Sequence, residues 1–144
     1  MKRMFSLSLA ILLTTGGMNA QSEASTAASC PPSLSTYSRN VLYFGLSSAL
    51  VPGRTITPDV WRAFSSEVLT KHFRDGMTVV DSNGEWRRPD GSHYGEPTKL
   101  VIVLYRIEAD SIAIATVQTV IAEAKRRFGY RSVLWERSLV CASF

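Results

Sequence analysis

The chain has 144 residues, of which 45% are hydrophobic and 19% charged, and its formal net charge is +4. That length suits one domain with a short appendage and excludes a multidomain architecture. The charge is mild and spread out, so the concentrated basic face that nucleic acid requires is absent.

The first twenty residues have three parts. Lys2 and Arg3 form a positive start, Phe5 to Leu13 is an apolar run, and Thr14 to Ala20 is small and polar. This is the layout of a cleavable export signal. The apolar run is well below the roughly 20 residues that a bilayer span needs, and no later stretch reaches it. No integral membrane span is therefore expected after cleavage. Cleavage is expected after Ala20, with Ala24, Ala27 and Ala28 as alternatives. Removing Lys2 and Arg3 leaves 14 basic against 12 acidic residues, a net charge of +2. The mature protein is expected in the periplasm or secreted.

Residues 21–38 are rich in Ser, Ala, Thr and Pro. Such a stretch buries too little apolar surface to order itself and is read as a flexible linker. Residues 39–144 then form a single domain, large enough for one core without a metal. An even number of cysteines in an exported chain favours a disulfide, here Cys30 with Cys141. Lipidation of Cys30 is the alternative, disfavoured because Cys30 lies far beyond Leu13.

Arg39 to Ser47 is β-branched and aromatic and predicts a strand. Thr57, Pro58 and Asp59 open a helix as N-cap, first residue and dipole partner. Trp61, Phe64 and Val68 form its apolar stripe, and it should stop near Phe73. Met77 to Asp81 predicts a second strand. Ser82-Asn83-Gly84 predicts a hairpin turn, with Glu85-Trp86-Arg87 as a short return strand. Pro89-Asp90-Gly91 predicts another turn. Lys99 to Ile107 holds a continuous apolar run, the mark of a strand buried on both faces and hence central. Ala109 to Phe128 predicts the longest helix, with Ile114, Val117, Ile121, Ala124 and Phe128 as its stripe and Gly129 as its cap. Ser132 to Phe144 closes the chain as a strand bent near Ser138.

This order predicts an α+β ferredoxin-like sandwich, a mainly antiparallel sheet of four to five strands with two helices on one face. The last strand then lies antiparallel beside the first. That brings Cys30 and Cys141 to the same end, a second argument for their bridge.

Several blocks resemble a family of small exported bacterial and phage proteins, domain-of-unknown-function family 3574. They are Leu42-Tyr43-Phe44-Gly45-Leu46; Trp61, Phe64, Glu67 and Val68; Phe73 with Asp75-Gly76-Met77-Thr78-Val79; Gly84, Trp86 and Arg87; Glu96, Thr98 and Lys99; and Val140-Cys141 with Ser143-Phe144. The blocks cover essentially everything after the linker. Arg74 stands where the family pattern usually has a proline before Asp-Gly, a departure confined to a turn. The resemblance implies an exported α+β domain and carries no assigned chemistry.

No catalytic constellation stands out. The chain has no nucleophile elbow, dinucleotide fingerprint, phosphate-cradling loop or calcium loop, and no cofactor is expected. Cys30, Cys141, His72 and His93 lack zinc-ligand spacing, so no metal is expected. Asp75, Asp81, Glu85, Asp90 and Glu96 gather around the hairpin, where turn chemistry accounts for them.

Two functional readings follow. In the first, strand alternation turns Leu42, Phe44 and Leu46 to the helices and leaves Val41, Tyr43, Val103, Tyr105, Val133 and Trp135 on an open sheet face. Such a face implies a protein partner, a homodimer or a ligand, unless the hairpin and linker fold over it. Tyr43, Tyr105 and Trp135 are its candidate binding residues. In the second, a small cofactor-independent enzyme has a cleft around the 86–97 hairpin loop, with Arg87, His93 and Glu96 as its polar set and Trp86 as its wall.

Overall fold

The computed structural model describes residues 29–47, 55–87 and 89–144. The expected export signal, residues 21–28 of the expected linker, residues 48–54 and Arg88 lie outside the described residues. Four strands form one antiparallel sheet: β1 (Ser35–Gly45), β2 (Thr78–Arg87), β3 (His93–Arg106) and β4 (Leu134–Ala142), in the order β2-β3-β1-β4. Between β1 and β2 runs a helical segment, α1 (Pro58–Phe64), a π-helical turn (Ser65–Leu69) and α2 (Thr70–His72). Between β3 and β4 runs α3 (Asp110–Phe128), after one 3-10 turn (Ile107–Ala109). This is the expected α+β ferredoxin-like arrangement, with the long apolar strand β3 central.

Local chemistry sets the helix ends. The Thr57 side chain accepts the Val60 backbone N–H at 3.4 Å, and Pro58 occupies the first turn where its missing donor costs nothing. Gly129 ends α3 in the left-handed region, φ 73°. The π turn adds one residue to the helical repeat, so Val68 and Leu69 both reach the core beside Trp61 and Phe64. On α3 the buried stripe is Ala113, Val117, Val120, Ala124 and Phe128. It is rotated slightly from the expected one, which leaves Ile114 and Ile121 half-buried at its margin.

The core lies between the sheet and the helices. Phe44 sits at its centre, 5.6 Å from the Trp61 ring, 5.9 Å from Phe64 and 6.5 Å from Tyr130. A polar knot is buried with it. Asn40 donates to Ser38 and accepts the Trp135 indole N–H at 3.0 Å. Arg127 of α3 donates to Glu67 at 2.6 Å and joins the two helical segments. Cys30 and Cys141 form the disulfide, Cα atoms 5.5 Å apart, which engages the thiol that lipidation would need.

Three expectations are corrected. β1 begins at Ser35, so the linker read over 21–38 extends too far: Ser35 to Ser38 pair with Ala142 to Leu139 of β4. There is no turn at Ser82-Asn83-Gly84. β2 runs straight through it, with Asn83 opposite Pro97 and Gly84 opposite Glu96. The chain reverses instead around Asp90-Gly91, where the Asp90 carboxylate accepts from the Ser92 backbone and hydroxyl and Gly91 has φ 84°. Lastly, β4 pairs with β1 without interruption through Ser138, where a bend was expected.

Candidate functional site

Cross-strand register assigns every sheet residue to a face, because directly opposed residues point the same way. Leu42 opposes Val101 of β3 and Trp135 of β4; Asn40 opposes Val103, and Ser38 opposes Tyr105. Val101, Val103, Tyr105 and Trp135 therefore face the helices. The open face carries Val41 and Tyr43 of β1 as expected. Around them lie Leu100, Ile102 and Leu104 of β3, Thr78 and Val80 of β2, and Leu134 and Glu136 of β4. Val103, Tyr105 and Trp135 are thus removed from the expected open face. Val133 precedes β4 and packs against the core.

The same logic separates the expected hairpin set. Trp86 opposes Tyr94 and Gly84 opposes Glu96, on the open face; Arg87 opposes His93 on the other side of the ribbon. Arg87 and His93 therefore share a face that excludes Glu96, and the expected cleft of Arg87, His93 and Glu96 does not form. Arg87 instead donates to the Gly91 carbonyl at 3.3 Å and braces the turn.

What Trp86 and Glu96 do line is a pocket of about 420 Å³ at one end of the open face. Its floor is the sheet at Gly45, Gly84 and Thr98; Tyr43 and Leu134 flank it, and Tyr130 to Ser132 cross its end. The two glycines make the room. A β-carbon on Gly45 would lie 2.0 Å from Glu96 Oε1, and one on Gly84 would lie 3.5 Å from the Trp86 ring. Glu96 thus lies down over a position that carries no side chain, whereas a β-carbon on Gly84 would crowd Thr98 Oγ1 at 3.1 Å and only touch the Trp86 ring. Tyr94 supports Trp86 from beside it, ring centroids 4.7 Å apart, and its hydroxyl meets Ser47 Oγ at 2.9 Å.

Electrostatics around the pocket are set by the tyrosines. Tyr130 donates to the Gly45 carbonyl at 2.6 Å. Burial first, and the negative charge of Glu96 second, push its hydroxyl pKa well above the ordinary value. Tyr43 donates to Glu136 at 2.8 Å, and that hydrogen bond is the main reason its pKa is raised.

Residues 39–144 match the family model of the proteins of unknown function DUF3574. The chain belongs to that family. A comparison with curated proteins finds no match. Among solved structures, the chain is similar to a phage SAM lyase in complex with S-methyl-5'-thioadenosine. Identity is 17% over 76% of this chain and 90% of that one, with a TM-score of 0.51. It is also similar to CutA from Synechococcus elongatus, at 7% identity over 75% of this chain and 78% of that one, with a TM-score of 0.42. The likeness to the phage enzyme shows a shared fold.

Sequence reasoning found Tyr43, Trp86 and Glu96 but missed the rest of the lining, Gly45, Gly84, Thr98, Tyr130 and Arg131 among it. Gly45 was visible as a glycine ending an apolar strand, and such a glycine often marks close approach of another group.

Proposed function

We propose that this domain is an exported, periplasmic binding module that works through its open sheet face. The observation that carries the reading is that both helical segments lie on one side of the sheet. The other side keeps an apolar centre, with Val80 40% and Leu134 62% exposed. An apolar surface rimmed by polar side chains marks an interaction site. The centre suits a protein client or a second copy, and the pocket at its end suits a small ligand. Export is supported by the N-terminal layout and by the Cys30–Cys141 bridge, since disulfides persist in oxidising compartments. Among the described residues no helix is long and apolar enough to cross a membrane. The enzymatic alternative has lost the polar set on which it depended.

The test pairs association with substitution at exposed positions. The mature protein is followed by sedimentation velocity from low micromolar to near-millimolar concentration, and by NMR with small molecules. S-methyl-5'-thioadenosine, present in the similar phage structure, is a first probe. A Val80→Lys, Leu134→Lys double variant, which leaves the core intact, should lose the association or ligand seen with the parent. A parent that stays monomeric, binds none of the probes and shows no partner that the double variant loses defeats the reading. Cell fractionation with mass spectrometry checks export, with Gln21 as the expected first residue; a chain kept in the cytoplasm with its N-terminus intact defeats that part.

A further inference from the structure

Among the described residues, none pairs with the Glu96 carboxylate in the pocket beside Gly45. Glu96 is half-buried, and among the described residues its carboxylate has no hydrogen-bond donor and no cation within ion-pair distance. Three neighbouring hydroxyl groups are committed elsewhere. Tyr130 gives its proton to the Gly45 carbonyl, Tyr43 to Glu136, and Thr98 to the backbone carbonyl of Glu96 itself. A carboxylate that spends none of its lone pairs on a protein donor is free to accept a positive partner entering the cavity.

The rest of the lining has the chemistry that such a partner would meet. Trp86, Tyr43 and Tyr130 border the same cavity. Aromatic faces attract cations, Trp most strongly, and do so best where water is excluded. Glu85 lines the cavity as a second carboxylate, and aromatic rings beside acidic groups are an arrangement that recognises alkylated nitrogen cations. At about 420 Å³ the cavity is in the range of small-molecule sites.

We propose that this pocket binds an organic ammonium ion, its charge held by Glu96 and its alkyl groups laid against Trp86, Tyr43 and Tyr130. The proposal deepens the binding reading of the open face by naming a ligand class. Arg131 stands at the edge of the pocket as a like charge. It makes no ion pair with Glu96, so it disfavours the cation without occupying its place.

The test uses choline as the probe and its neutral dimethylbutanol isostere as the control, titrated into the isotope-labelled mature protein. Choline should give saturable shifts at the Gly45, Gly84 and Glu96 amides and at the Trp86 indole, while the isostere gives none. Glu96→Gln should weaken choline by about tenfold or more, the effect of removing a charged hydrogen-bonding partner. Arg131→Gln should keep or improve it. Gly45→Ala, which displaces the Glu96 carboxylate and leaves its charge in place, is the second variant and should also weaken choline.

Four results overturn the proposal: no saturable shift with choline, equal binding of the isostere, unchanged affinity in Glu96→Gln, or loss of binding in Arg131→Gln. The last would mean that Arg131 builds the choline site instead of opposing the cation. Any of these, alongside association that the Val80→Lys, Leu134→Lys variant loses, removes the ammonium site and leaves the binding reading standing.

Discussion

Replacing Gly45 by alanine separates the pocket from the fold. The new β-carbon would lie 2.0 Å from Glu96 Oε1 and 2.6 Å from its Cδ, where ordinary contact begins at 3.4 Å, so the carboxylate must retreat by about 1.4 Å. Gly45 has no positive φ, so alanine imposes no backbone strain there. The clash falls on the far end of a flexible side chain. Driving Glu96 from its rotamer costs roughly 0.5–1.5 kcal/mol. Restricting the unfolded chain returns roughly 0.4–1 kcal/mol. The net effect on stability is therefore within about 1 kcal/mol, a shift in Tm of less than about 8 °C for a domain near 100 residues. The pocket, by contrast, loses its carboxylate from the place where a ligand would meet it. Thermal unfolding by circular dichroism reads the first effect and the choline titration reads the second. A variant that unfolds in the cold, or that binds choline as tightly as the parent, refutes the placement of Glu96 over Gly45.

Three other substitutions probe the frame that holds the site. The Cys30–Cys141 bridge closes a loop of 111 residues, so the double serine variant should lose up to about 4–5 kcal/mol on the chain-entropy model, read from urea unfolding; an unchanged midpoint would show that the N-terminal segment is held without it. Asn40→Ala strands the Trp135 indole N–H and should cost about 1–3 kcal/mol by the same assay, whereas Val41, flanked only by open-face neighbours, has no polar partner to strand. Asp110 is held below the ordinary carboxylate range, first by the Arg137 hydrogen bond and then by Ser38. A depressed folded pKa means stability that is present above the unfolded carboxylate pKa and lost as pH falls through the folded one. Melting temperature should accordingly fall on acidification less steeply in Asp110→Asn than in the parent, and parallel curves would refute this assignment.

Much of the frame was legible because local chemistry and tertiary packing agree. Thr57-Pro58 at a helix start, Gly129 at a helix end, and the apolar run of the central strand each have one reading that sterics and hydrogen bonding allow. The faces were harder. Leu42 and Phe44 alternate with Val41 and Tyr43, but all four are apolar or aromatic, so the strand declares no side. In Leu100 to Tyr105 both faces are apolar and periodicity is silent. Only pairing decides: Leu42 opposite Val101 and Trp135 sends Tyr105 and Trp135 to the core, one residue out of the expected phase. Ser35 to Ser38 read as linker because the Ser-, Ala- and Pro-rich run before them masks the strand-forming Thr36 and Tyr37, whose pairing partners on β4 lie far along the chain.

Asn83-Gly84 shows why a local signal can mislead. Asn-Gly is the strongest short hairpin signal, and a turn there would have ended β2 early. Asp90-Gly91 offers a competing turn, and the pairing of Asp81 to Arg87 with Lys99 to His93 holds only if the reversal occurs there. Gly84 is then spared from turn duty and sits in the sheet face, where a β-carbon would press on Thr98 Oγ1 at 3.1 Å and touch the Trp86 ring at 3.5 Å. Gly45 on β1 leaves the room that Glu96 fills. The two glycines border one stretch of β3, with Gly84 opposite Glu96 and Gly45 opposite Thr98. A sheet built only for stability would fill both positions, since a glycine in a strand forfeits packing and costs conformational entropy. Their joint effect is to lower the floor of the open face at one end and let a carboxylate and an indole share it. That placement is the physical reason to test this end of the open face for ligand binding first, ahead of the hairpin loop and the histidines.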